Sequence, residues 1–213
     1  MKTRIQNIGL ALSLGVLAIS GGAFAADEFD FQEGVHYERI SPEQPTETGD
    51  KVEVREMFWY GCPHCFSFEP YVERWLRKKP VNAEFVRQPG IFRANWEPHA
   101  RAYYVSEILG VFEKIHMPLF NAIHQQRRNL NDENALAAFF AEHGVKQDDF
   151  RKAYRSFAVE TKVRHARVMG QRYGVDGVPS IIVNGKYRFS NRSTGSATKT
   201  LELINYLVEK ESK

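Results

Sequence analysis

Residues 52–65 read Val52-Glu53-Val54-Arg55-Glu56-Met57-Phe58-Trp59-Tyr60-Gly61-Cys62-Pro63-His64-Cys65. Alternation at Val52 and Val54 closes into the unbroken run Met57 to Tyr60, the pattern of a strand buried on both faces. Gly61 breaks that run. Cys62 then opens a helical pattern carried by Phe66, Phe68, Tyr71, Val72, Trp75 and Leu76, with Pro63 in the first turn, where its missing N–H leaves nothing unpaired. Pro70 lies inside the same helix and is expected to bend it. Beyond Lys78 to Pro80, Ala83 to Arg87 reads as a second core strand that stops at Pro89-Gly90. The three elements make a β-α-β unit, so the chain is read as α/β.

Downstream, Arg93 to Tyr173 is helical in character, with breaks expected at Gly110, Pro118, Asn129 to Asn131 and Gly144. That length is too great for one crossover and predicts an inserted all-helical subdomain. Asn131 or Asp132 is the expected N-cap of a helix through Leu136, Phe139 and Phe140, with Gly144 as its stop. The last inserted helix, about Phe157 to Tyr173, carries apolar Val159, Val163, Ala166, Val168 and Met169. Asn184-Gly185 between Ile181-Ile182-Val183 and Lys186 to Phe189 is a hairpin signal, because both turn positions need positive φ. Ala197 to Val208 closes the chain as an amphipathic helix with Leu201, Leu203, Ile204 and Leu207 inward. Upstream, one short extended segment is expected around Val35 to Ile40. The boundaries expected are 26–90 and 161–213 for the sheet-bearing part and 91–160 for the insertion.

The N-terminus reads as an export signal: Lys2 and Arg4 precede an apolar run from Ile8 to Ile19, then Ala23-Phe24-Ala25, with cleavage expected after Ala25. The run is shorter than the roughly 20 residues of a spanning helix, so a chain not embedded in the membrane is expected. Hydrophobic residues make up 43% of the 213, enough for a core. Loss of Lys2 and Arg4 would leave 27 basic and 26 acidic residues, a balance that does not point to nucleic acid.

Cysteine usage is the sharpest compositional fact. The chain has two cysteines, two residues apart. A bridge closing so small a loop gains only about 2 kcal/mol on the chain-entropy model, so a purely structural disulfide is a poor use of them. A structural zinc site needs four ligands, and no metal-ligand spacing joins the pair to His64, His99 or His165. No metal and no cofactor are expected. A cysteine at a helix N-terminus faces unpaired backbone N–H groups and the positive end of the macrodipole, which favour its thiolate. Cys62 occupies that place and is the expected attacked sulfur; Cys65, one turn in, is less accessible. His64 adds a donor or a positive charge near the thiolate. Each unit by which the Cys62 pKa falls below the ambient pH stabilises the reduced pair by about 1.4 kcal/mol, or about 30 mV, which makes the couple an oxidant.

Glu56 has two readings. Among Met57 to Tyr60 it would be a buried carboxylate, costly unless it serves a purpose such as carrying protons for the thiols. Strand alternation alone also allows it to face solvent from an edge.

With Cys62-Pro63-His64-Cys65, the helical insertion, Gly177-Val178-Pro179 and Val183-Asn184-Gly185-Lys186-Tyr187 together, the chain resembles the DsbA family of periplasmic thiol:disulfide interchange proteins. The resemblance implies a thioredoxin-like fold with the helical subdomain inserted, and a monomer in the periplasm. It implies a dithiol oxidase acting on unfolded exported proteins and reoxidised by a membrane quinone-linked partner of the DsbB type. It implies that Val178-Pro179 is the cis-proline site beside the cysteines, with the Val178 backbone free to pair with substrate, and that Glu56 matches the family's buried acid. The family's buried lysine has no clean match, since Pro80 falls where it would stand and Lys79 is adjacent. A disulfide reductase or isomerase of the same fold is the alternative function.

Overall fold

The computed structural model describes residues 30–212; the export signal and its cleavage point lie outside them. The elements are β1 (Glu38–Arg39), β2 (Val52–Phe58), α1 (Pro63–Leu76), β3 (Ala83–Pro89), a 3-10 turn (Ala94–Trp96), α2 (Glu97–Ile108), α3 (Phe112–His124), α4 (Glu133–Glu142), α5 (Gln147–Tyr154), α6 (Phe157–Arg172), β4 (Ser180–Val183), β5 (Tyr187–Phe189), α7 (Asn191–Thr194) and α8 (Ala197–Glu211).

Every residue of β2 is buried, as its apolar run requires. The sheet order is β1-β5-β4-β2-β3. β3 runs parallel to β2, with Val54 opposite Phe85 and Glu56 opposite Arg87. β4 runs antiparallel to β2 on its other side, Glu56 opposite Ile181. Glu56 therefore sits on an interior strand, and the edge reading is excluded. Alternation sends Val52 and Val54 toward one layer, where they pack with Phe68, Val72 and Trp75 of α1 and Leu203, Ile204 and Leu207 of α8. Met57 faces the other way, onto Met169 and Tyr173. Glu56 shares the α1 side with Val54.

The hairpin turn is as its sequence demands: Asn184 and Gly185 have φ of 52° and 65°. A side chain at Gly185 would also meet the Gln44 carbonyl oxygen at 2.0 Å, so the close approach of the loop between β1 and β2 needs glycine there as well.

Between β3 and β4 the chain is helical, α2 through α6, around a core that includes Leu119, Phe120, Leu136, Phe140 and Phe150. Asp132 caps α4 by accepting from the N–H groups of Asn134 and Ala135. Gly144 follows the end of α4 at φ 87°.

Three expectations need correction. Pro118 does not break a helix; it lies inside α3, where burial of Ile115, Leu119, Phe120 and Ala122 outweighs the proline's roughly 3 kcal/mol penalty. Val168 is 43% exposed, because it falls about half a turn from the Val159, Val163 and Ala166 stripe. The extended segment before Ile40 shortens to Glu38–Arg39, since Gly34 at φ 83° turns the chain just upstream. α1, by contrast, continues through Pro70 to Leu76.

Candidate active site

Cys62 is the N-cap of α1, with φ −91° and ψ 116°, and Pro63 takes the first helical position. Its sulfur stands in for the usual capping oxygen: the backbone N–H of Cys65 donates to Cys62 Sγ at 3.4 Å. Both cysteines are free thiols in this structure. Cys62 is 7% exposed and Cys65 0%, so only the first can be reached from outside without opening the fold. Cys62 Sγ also lies 3.5 Å from the carbonyl oxygen of Val178, close enough for its S–H to donate. The Val178-Pro179 peptide is cis. This loop joins two segments more than a hundred residues apart at one sulfur.

The two thiols are displaced in opposite directions. Cys62 falls from an ordinary 9.0 to about 6: the Cys65 thiol donates to it first of all, burial opposes this, and the backbone N–H groups of Cys65 and His64 and the charge of His64 add to it. Cys65 is pushed well above 9.0, chiefly by burial, then by its hydrogen bond and charge relation to Cys62 and by Glu56. Pro63 and His64 are exposed at the helix mouth. His64 thus acts through its backbone N–H as well as its ring, and its ring charge is the smallest of the named influences on Cys62.

Glu56 is fully buried, and neither carboxyl oxygen has a hydrogen-bond partner among the described residues. Burial and the nearby Glu69 raise it to about 8, against the pull of Arg87, and Cys62 raises it further. Its nearest cation is Arg87, whose Nε stands 3.9 Å from Glu56 Oε2. Lys79 is not its partner: that ammonium donates to the Ala83 carbonyl and approaches Glu84. The cation facing this acid comes from β3, directly opposite Glu56 in the ladder.

Sequence reading missed several groups. Glu69 is buried on α1, one turn beyond Cys65, and accepts from Arg87 Nη2 at 2.9 Å. Its signal was a carboxylate on the buried stripe of Cys65, Phe68, Val72 and Trp75. His116, from α3, bonds the other Glu69 oxygen, and only the three-dimensional contact reveals it. Trp59 stacks on Trp96 with ring centroids 4.2 Å apart. A Cβ at Gly61 would lie 2.3 Å from the Trp59 ring, so glycine beside Cys62 is what lets the indole cover that backbone.

Comparisons with known proteins agree with this geometry. The family model of a DSBA-like thioredoxin domain matches residues 72–202, beginning just after the cysteine motif. Matches to whole proteins span the motif as well. The thiol:disulfide interchange protein DsbA of Pseudomonas syringae pv. tomato is 38% identical over 207 residues, 97% of this chain and 96% of its own. That of Burkholderia cepacia is 39% identical over 210 residues, 98% of this chain and 97% of its own. The crystal structure of Pseudomonas aeruginosa DsbA superposes with a TM-score of 0.81 at 39% identity, covering 85% of this chain and 94% of that one. The oxidoreductase DsbA of Xylella fastidiosa gives 0.77 at 32% identity, covering 83% and 95%. The chain belongs to the DsbA family: it is a thiol:disulfide oxidoreductase built on a thioredoxin fold with a helical insertion.

Proposed function

We propose that this protein works in the donating direction, as a dithiol oxidase of exported proteins in the periplasm, with Cys62 as the exchanging sulfur. The observation that carries the reading is the opposite displacement of the two thiols, Cys62 down to about 6 and Cys65 well up. In the oxidised protein a substrate thiolate attacks Cys62 Sγ; the Cys62–Cys65 bond breaks and its electron pair leaves on Cys65. Cys65 takes a proton, for which Glu56, holding one at neutral pH, is the donor. A second substrate thiolate then attacks the substrate sulfur of the mixed disulfide and expels Cys62 as its stabilised thiolate. Two substrate thiols become one disulfide, and the enzyme pair is reduced by two electrons.

Val178 and cis-Pro179 serve as the substrate-docking edge, the Val178 carbonyl lying beside the sulfur that substrate must reach. A similar Proteus DsbA, 26% identical with a TM-score of 0.69, was solved with a non-covalently bound peptide that contains a cysteine. Pro63 starts the helix and His64 tunes Cys62. The reduced enzyme returns to its disulfide through a membrane quinone-linked reoxidase of the DsbB type. It acts as a monomer, after cleavage following Ala25. No helix among the described residues is long and apolar enough to cross a membrane. The helical insertion corresponds to 91–160, and α6 carries the chain past position 160 back to the sheet.

The test is oxidation of a two-cysteine peptide by stoichiometric oxidised protein, together with equilibration of the Cys62–Cys65 pair against glutathione. Rapid peptide oxidation and a potential well above that of thioredoxin are expected, with Cys62→Ser inactive. A thioredoxin-like potential would overturn the donating direction in favour of a reductase.

A further inference from the structure

A hydrogen-bonded chain of buried groups runs toward the acid behind the thiols and ends one step short of it. It begins at Tyr60, whose Oη lies 2.9 Å from His116 Nδ1. His116 Nε2 lies 3.0 Å from Glu69 Oε1. Glu69 Oε2 accepts from Arg87 Nη2 at 2.9 Å, and the same nitrogen donates to Glu73 Oε1 at 3.2 Å. Arg87 Nε has no acceptor among the described residues and stops 3.9 Å short of Glu56. His116 comes from α3, Glu69 and Glu73 from α1, Arg87 from β3, and Tyr60 from the segment after β2.

The donors and acceptors fix the tautomer. A carboxylate only accepts, so His116 Nε2 must carry the proton; the neutral ring then accepts from the Tyr60 hydroxyl at Nδ1, and both bonds are made without a buried cation. Burial, which lowers the basicity of His116, agrees with a neutral ring. With one oxygen held by His116, Glu69 turns the other to Arg87 and stays ionised, held below the usual carboxylate range despite its own burial by His116 and Arg87.

We propose that His116 is a positioning residue for the thiol chemistry: by fixing the Glu69 carboxylate it commits the Arg87 guanidinium to Glu69 and away from Glu56, leaving Glu56 without a donor and able to hold the proton that Cys65 needs. The groups facing Glu56 are Cys62 at the cap of α1, Cys65 and Glu69 on α1, and Arg87 from β3. Those facing His116 are Tyr60, Glu69, Arg87 and Glu73. Ionised Glu69 repels a second carboxylate, and an arginine already engaged attracts it weakly, so both consequences of the His116 bond keep the proton on Glu56. The competing view is a satisfied core histidine. Phe58, Phe112 and Phe120 surround the ring at 5.5, 4.6 and 5.3 Å, and a histidine 3% exposed in such a box could serve stability alone.

The inference rests on the reading of Glu56 as proton donor to the pair, but its test does not need turnover. The Glu56 carboxyl carbon is followed by NMR across pH in the reduced protein, in wild type, His116→Phe and His116→Gln. Phe fits the aromatic box and makes neither hydrogen bond. Without its His116 donor Glu69 binds a proton more readily and frees Arg87 for Glu56, so the Glu56 midpoint should fall by about one unit or more. Gln offers an N–H to Glu69 and a carbonyl oxygen to Tyr60, and should hold the wild-type midpoint. An unmoved midpoint in His116→Phe overturns the proposal, as does an equal fall in both variants. Should His116→Phe fail to fold, the nitrogen shifts of wild-type His116 decide: a neutral ring protonated at Nε2 is required, and an imidazolium or an Nδ1–H tautomer overturns it. If the midpoint moves as expected but the wild-type protein does not oxidise dithiols, the donating function falls and the role of His116 in setting Glu56 stands.

Discussion

Replacing His64 by alanine separates two accounts of the Cys62 thiolate, and its effect can be worked from the site. Cys62 falls from 9.0 to about 6. The reduced pair gains only from the margin by which pH exceeds that value: near pH 7 this is about one unit, or about 1.4 kcal/mol and about 30 mV. Near pH 9 the margin reaches nearly three units and the advantage about 80 mV. Backbone donors and the Cys65 thiol survive the substitution; what is lost is an exposed ring that, when protonated, acts through water. A charge at contact distance in water contributes about 1 kcal/mol, or about 0.7 unit. His64→Ala should therefore lift the Cys62 midpoint by no more than about 0.7 unit and lower the potential near pH 7 by about 15 mV. Thiolate ultraviolet absorbance across pH gives the first number, and equilibration with glutathione the second. A midpoint that returned to about 9.0 would refute this account, since it would make the ring, not the Cys65 thiol and the N–H groups at the helix terminus, responsible for the anion. No change at all would remove His64 from the mechanism.

Glu56→Leu is expected to stabilise the protein. A carboxylate raised from 4.5 to about 8 in the folded state keeps a proton that the unfolded chain gives up, so wild type loses stability as pH rises from about 4.5 to 8. Near pH 7 the variant should be more stable by on the order of 3 kcal/mol, and near pH 4 this ionisation advantage should vanish; denaturant midpoints at the two pH values measure it, and a difference independent of pH would contradict it. Gly61→Ala should break the Trp59–Trp96 stack, because the new methyl group would overlap the Trp59 ring. A loss of about 1–3 kcal/mol and a changed tryptophan emission are expected; unchanged emission would mean the indole does not cover Gly61 in solution.

Much of this was legible in residues 52–65 because two local signals coincide there. An apolar run that needs burial on both faces ends on glycine, and a proline pair of positions later starts a helix with cysteine at its cap. Asn184-Gly185 was equally plain, since its turn is decided by backbone sterics alone. Pro118 and Val168 were misread for opposite reasons. At Pro118 packing overrode a local preference; at Val168 a residue counted among the helix's apolar positions falls out of phase with its buried stripe. The polar network behind the sulfurs was hidden more deeply. Glu69, Arg87 and His116 lie on α1, β3 and α3, and nothing in their spacing says that a helix from the insertion will bring an imidazole to a carboxylate 47 positions away.

The opposite displacement of the two thiols also bears on direction. Once substrate is joined to Cys62, two thiols compete for the mixed disulfide: Cys65 can attack Cys62 and send the substrate away still reduced, or the substrate's second thiol can attack its own sulfur and release Cys62. The first route needs a Cys65 thiolate, and burial of Cys65 beside Glu56, which persists in the mixed disulfide, disfavours that anion. The second route expels the better leaving group, since Cys62 is stable as an anion from about pH 6 upward. A reductase needs the reverse, a ready inner thiolate to resolve the mixed disulfide. Burial of Cys65 beside Glu56 makes that thiolate scarce, whereas donation from the Cys65 thiol and from the N–H groups at the cap of α1 favours the Cys62 thiolate in the reduced enzyme. The partition of a trapped Cys62–substrate disulfide should accordingly favour release of oxidised substrate. Raising the pH toward the Cys65 pKa should shift it toward return of the substrate still reduced, and rapid acid quenching of a single turnover would read both products. A partition independent of pH would mean that access to the sulfurs, and not their acidity, sets the direction.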